Sequence, residues 1–175
     1  MSPMTNPLIS YWRRLPAESP AARRRALETL RERVRDGLEP RSALLPFALG
    51  DVDDAVVHVA TQAYVVSAGT APERATALTD AAEWVRRGLS LNRGAVFGAL
   101  LALEDERACE RLASLRLGLS ASEVETACRA LGTVPGALAA QFLAEWLDLI
   151  ADGPLPRERG ALLATLEGRR DVRAA

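Results

Sequence analysis

The sequence predicts an all-α chain: one α-α superhelix of about four helical hairpins plus an N-terminal helix, in a single domain over residues 1–175. Three observations carry this. Apolar residues recur three and four positions apart, the spacing that puts them on one face of a helix. No run alternates apolar and polar residues over a useful length, and β-branched residues are sparse outside 52–66. Helix starts and stops punctuate the chain at intervals that suit paired, stacked helices.

Residues 1–18 form a Pro-rich extension. Pro3, Pro7 and Pro16 exclude one long helix, and Leu8, Ile9, Tyr11, Trp12 and Leu15 predict a short segment packed as an end cap. Ser19-Pro20 reads as an N-cap followed by proline at the first helical position. The capping helix over 19–37 then carries one stripe, Leu27, Leu30, Val34 and Leu38, and Gly37 marks its stop. Arginines crowd its other faces, with Glu28 and Glu32 interleaved.

The hairpins fill residues 40–168. A short helix over 40–49 leads to the turn Gly50-Asp51-Val52-Asp53. Asp53 or Asp54 caps a helix that runs to about Ser67, with Val56, Val59, Ala60, Ala63 and Tyr64 inward. Thr70-Ala71-Pro72-Glu73 is a capping box with proline in the first turn, and Gly88 is the stop. From about Leu91 to Leu103, the small residues Ala95, Gly98, Ala99 and Ala102 let a neighbouring helix approach. Asp105 opens a helix with Ala108, Leu112, Leu115 and Leu119 inward. Ser120-Ala-Ser-Glu123 is a second capping box, ahead of Val124, Ala127, Cys128 and Leu131. The helix over 135–151 is apolar nearly all round, which predicts the most buried helix of the fold. Gly153-Pro154-Leu155-Pro156 breaks the chain before a last helix with Leu162, Leu163 and Leu166, ending near Gly168.

The second helices of these hairpins begin near Asp54, Leu91, Ser120 and Pro156, at spacings of 37, 29 and 36. A competing match, Ala48-Leu-Gly-Asp-Val-Asp-Asp-Ala55 with Ala130-Leu-Gly-Thr-Val-Pro-Gly-Ala137, falls at an offset of 82 and reads as shared turn chemistry. Leu103-Glu-Asp105-Glu-Arg107-Ala108, Leu112, Leu115, Val124, Ala127 and Ala130-Leu131-Gly132 resemble the HEAT-like repeat of the bilin-lyase type. Leu49-Gly-Asp-Val-Asp-Asp-Ala-Val56 with Ala60 and Ala63 resembles the turn and second helix of the same repeat. The likeness covers roughly residues 40–132 and implies a solenoid of helical hairpins. Many such repeats carry an Arg directly after the helix valine; here Val57 and Glu125 stand there. Stacking is therefore expected to rest on packing without the usual Asp-to-Arg ladder.

Composition narrows the function. Apolar residues are 49% and charged residues 26%, the balance of a soluble globular chain. Net charge is −1, which gives no global pull toward nucleic acid or anionic membrane. The charge is uneven: nine Arg against five acids over 1–50, five against ten over 51–110, eight against eight thereafter. All 22 basic residues are Arg, which with abundant Ala and Leu reads as the codon bias of a GC-rich bacterial genome. No secretory signal and no apolar run near the ~20 residues of a membrane span is present, so a cytoplasmic protein with reduced thiols is expected.

No catalytic constellation stands out, and neither a cofactor nor a metal is expected. Cys109 and Cys128 lie on consecutive helices and read as core residues. With His58, the only imidazole, they fall short of the four ligands of a structural zinc site. Asp51, Asp53 and Asp54 lack the glycine and terminal glutamate of a calcium loop and read as helix caps. The expected function is a non-enzymatic adaptor or scaffold that binds a protein partner, since stacked hairpins present long surfaces. Candidate partner-binding residues are Arg23, Arg24, Arg31 and Arg35 on the Arg-rich helix, with Trp84, Arg86, Arg87 and Arg93 as a second cluster. Nucleic-acid binding through the Arg-rich N-terminal helix is the alternative. A third reading, a bilin-lyase-like activity, rests on the repeat resemblance alone.

Overall fold

The computed structural model describes residues 18–131 and 136–168. The apolar segment expected around Leu8–Leu15 and the Arg-rich tail lie outside them. Among the described residues there are nine α-helices and no strand: α1 Pro20–Arg35, α2 Leu45–Gly50, α3 Asp54–Val66, α4 Ala71–Arg86, α5 Arg93–Ala102, α6 Glu106–Ala113, α7 Ala121–Leu131, α8 Ala137–Ile150 and α9 Pro156–Gly168. A 3₁₀ turn over Arg41–Leu44 leads into α2, and another over Arg116–Gly118 precedes α7.

Local chemistry sets these boundaries. Ser19 accepts the Ala22 N–H, with Pro20 at the first helical position, and Asp53 accepts that of Val56. Thr70 and Glu73 form a reciprocal capping box, as do Ser120 and Glu123. Asp105 accepts the N–H groups of Arg107 and Ala108. α1 and α4 stop at Gly37 and Gly88, with φ of +73° and +64°. Leu38 N–H then reaches back to Arg33 O, and Leu89 N–H to Trp84 O, the Schellman arrangement. Only glycine takes up that left-handed position without a Cβ penalty.

The odd-numbered helices pack in chain order, α1 on α3, α3 on α5, α5 on α7 and α7 on α9. α4, α6 and α8 pack in order on the other side. α3 and α7 also touch each other across α5. That contact makes α5, and not α8, the central helix. Every residue from Gly94 to Leu101 is buried, whereas α8 leaves Leu149 exposed. All-round apolarity in α8 therefore overstated its burial: Leu138 and Leu147 sit at the rim, half-covered.

Two glycines let α5 and α7 come together. A Cβ on Gly94 would lie 2.5 Å from Glu123 O, and one on Gly98 3.0 Å from Ala127 O. Around this seam the core is built from Leu, Val and Ala with an aromatic cluster. Phe97 lies 5.4 Å from Trp146 and 6.1 Å from Phe142 between ring centroids, in tilted contacts.

Candidate partner-binding groove

The eight candidate residues fall into four environments. Two are consumed by the fold. Trp84, a candidate anchor only if exposed beside Arg86, Arg87 and Arg93, is 6% exposed, and its ring packs at 4.9 Å on Tyr64. The α4 face that carries it also carries Ala77, Ala81 and Val85, so its apolar area goes to the core. Arg23 is 7% exposed: its Nε and a terminal nitrogen donate to Asp51 at 2.6 and 3.0 Å, and its other terminal nitrogen donates to Glu18 O.

Three more are engaged by carboxylates at the surface. Arg24 donates to Asp53 at 2.8–3.2 Å, Arg86 to Glu83 at 2.5–2.7 Å, and Arg93 to Glu123 at 2.7 and 2.8 Å. The hydrogen bond from Arg24 holds the Asp53 carboxyl below its ordinary range, against the opposing effect of burial. Arg87 is exposed and makes no ion pair among the described residues.

The remaining two, Arg31 and Arg35, border an open groove. α1 supplies Arg31, Val34 and Arg35 to one wall, and α3 supplies Val59, Gln62, Ala63 and Val66 to the other. Leu44 contributes from the 3₁₀ turn, and Ser67, Ala68 and Gly69 close one end. The cavity measures about 540 Å³, within the range of sites that seat organic groups. Val66 is 57% exposed and Arg31 projects outward; Arg35 pairs with the neighbouring Asp36, at 3.1 Å. No Asp or Glu is among the described lining residues.

The groove exists because α1 and α3 are clamped at one end only. Arg23 and Arg24, in the first turns of α1, pair with Asp51 and Asp53 at the start of α3. Toward their C-termini no such pair joins the two helices among the described residues, and the groove opens there.

These pairs belong to a ladder of arginine–carboxylate pairs between remote segments, where the sequence led to an expectation of stacking by packing alone. Arg23–Asp51, Arg24–Asp53, Arg93–Glu123, Arg74–Asp105 and Arg157–Glu125 join residues 28, 29, 30, 31 and 32 apart. Val57, one of the two positions that follow a helix valine, is fully buried, and Glu125, the other, accepts from Arg157. Asp54 closes the set by accepting from Asn92 at 2.8 Å and from Arg129 at 3.2 Å. The loop ahead of α5 is also joined directly to the end of α2 and to the loop ahead of α3. Leu91 N–H donates to Leu49 O, Ser90 Oγ to Ala48 O and Asn92 Nδ2 to Val52 O.

Other candidates for chemistry are structural. Cys109 and Cys128 are buried free thiols; burial pushes Cys109 up to about 11 and raises Cys128, so neither is a ready thiolate. Burial pushes the His58 imidazole below its ordinary value, and its Nδ1 has no hydrogen-bond partner among the described residues. No three His, Cys, Asp or Glu are placed to hold a metal ion among the described residues. No described helix is long and apolar enough to cross a membrane. Neither a family model, nor a curated protein, nor a solved structure matches the chain.

Proposed function

We propose that this chain is a non-enzymatic adaptor, a HEAT-like stack of helical hairpins that binds a protein partner through the groove between α1 and α3. The observation that supports it is the pairing of apolar walls, Val34, Val59, Ala63 and Val66, with two outward arginines and no lining carboxylate. An apolar recess with a charged rim is the usual anatomy of a protein-recognition site. The order of contacts, α1–α3–α5–α7–α9 on one side and α4–α6–α8 on the other, is compatible with stacked hairpins. The nucleic-acid alternative has less support, since Arg23, Arg24, Arg86 and Arg93 are neutralised by the chain's own carboxylates.

The test is affinity capture from a bacterial lysate with and without nuclease, run in parallel with Val66→Asp. A near-stoichiometric protein that survives nuclease and is lost with Val66→Asp is the expected result. Retention only of nucleic acid, or of partners released by nuclease, overturns the adaptor reading.

A further inference from the structure

We infer that the partner element seated in the α1/α3 groove is an acidic amphipathic helix, with apolar residues on one face and carboxylates placed to meet Arg31 and Arg35. The inference rests on the adaptor reading and goes further, to the chemistry of the ligand. Three features of the groove specify it.

The first is shape. The α3 wall from Val59 to Val66 runs about two helical turns, roughly 10 Å. Two facing helices with an apolar strip between them seat a third helix through its i, i+3, i+4 and i+7 positions. A β-strand ligand finds nothing to extend, because the walls are helices whose backbone groups are already bonded.

The second is charge. Arg31 and Arg35 are four residues apart, so both project from one face of α1. Neither is met by a carboxylate from α3 or the turn ahead of it, in contrast to Arg23 and Arg24 about two to three turns earlier on the same helix. Asp36 engages Arg35 from the next position, at a side chain 73% exposed, and leaves most of the guanidinium accessible. A ligand carrying Glu toward this wall supplies what Asp51 and Asp53 supply lower down.

The third is the low cost of filling the groove. Ser67, Ala68 and Gly69 close the end with small side chains, and Gln62 is tied to Ala99 O on α5. An entering apolar face therefore meets no buried charge that it must desolvate.

The probe is a 16-residue synthetic helix with Leu at i, i+3, i+7 and Glu on the flanking positions, compared with the same peptide carrying Lys for Glu. Binding is read on the full chain by methyl and amide NMR. The expected result is that the Glu peptide shifts Val34, Val59, Ala63 and Val66, with the Lys peptide about ten-fold weaker. The Arg31→Glu/Arg35→Glu double variant, whose fold the same spectra report, reverses that order. Val66→Asp abolishes binding of both peptides. Shifts centred elsewhere, an unchanged order in the double variant, or no Glu-peptide binding up to about 1 mM overturns the inference. A nuclease-resistant partner that still binds the double variant sinks this inference and leaves the adaptor reading standing. The absence of any such partner sinks the adaptor reading itself.

Discussion

Arg23 and Asp51 join α1 to the turn ahead of α3 through two parallel hydrogen bonds, at 2.6 and 3.0 Å, with both side chains buried. Asp51 also accepts the Asp53 N–H at 2.9 Å, so the carboxylate orders the turn that caps α3. Removing either partner strands a buried charge. Arg23→Ala or Asp51→Ala is expected to cost about 3–5 kcal/mol. Arg23→Lys fails to restore the loss, because an ammonium cannot make the two-pronged contact. Urea unfolding midpoints of the three variants check this; a Lys variant as stable as the parent contradicts it.

Gly94 and Gly98 are a graded test of the α5–α7 seam. A Cβ at Gly94 meets backbone, Glu123 O at 2.5 Å, and neither helix can yield locally. At Gly98 the nearest atoms are at 3.0 Å. Gly94→Ala is expected to destabilise by about 1–3 kcal/mol, and Gly98→Ala by less. Gly160 in α9 has nothing within 4 Å of a built Cβ. Gly160→Ala should therefore stabilise, by about 0.5–1 kcal/mol, through helix propensity alone. Thermal denaturation of the three variants gives the order directly.

This contrast shows what is legible in the chain before its structure. Caps and stops were readable because their chemistry is local: Ser19, Asp53, Thr70, Asp105 and Ser120 each act within three residues of themselves. The all-helical class followed from periodicity. Burial ranking did not follow, because whether α5 or α8 is central depends on α3 and α7 meeting across α5, a contact between remote segments. The ladder was missed for the same reason. Arg93 and Glu123 are 30 residues apart, and no local rule pairs them. The groove was half readable: Arg31 and Arg35 stood out, but Trp84 did as well, and only packing separates an outward arginine from an inward indole.

Glu104 shows the limit most sharply. Its φ is +54°, a conformation costly for a residue with a Cβ, and its carboxylate accepts the N–H groups of Leu138 and Ala139 at 2.8 and 3.2 Å. It thereby caps α8 from 34 and 35 residues away. Gly136 makes room for it: a Cβ there would lie 1.7 Å from Glu104 Oε1. Glu104→Ala loses the cap and keeps the strained backbone, and is expected to cost about 1–2 kcal/mol. Glu104→Gly loses the same cap but relieves the strain, and should be milder by about 1 kcal/mol. Chemical denaturation of both variants measures the difference, and an Ala variant more stable than the Gly variant overturns this account of the site.

His58 makes stability depend on pH in a defined window. Burial on α3 disfavours the imidazolium, so the folded-state pKa lies below the ordinary value. In the unfolded chain the ring titrates near its unperturbed pKa of about 6.5. Between those two values the unfolded state holds the extra proton, so stability is full above about pH 6.5 and falls as the pH drops toward the folded pKa. The nearest carboxylate one turn earlier, Asp54, is held by Asn92 and Arg129 and is committed to the ladder. Arg24 holds the Asp53 carboxyl below its usual range, so its own loss of stability comes at lower pH, in the acid range of carboxylates. His58→Gln keeps a polar side chain of similar length and removes the titration. The parent chain is expected to lose stability between pH 7.5 and 5.5, and the Gln variant to lose markedly less over the same interval. Equal slopes in the two proteins would mean that the imidazole is not the group that resists the proton.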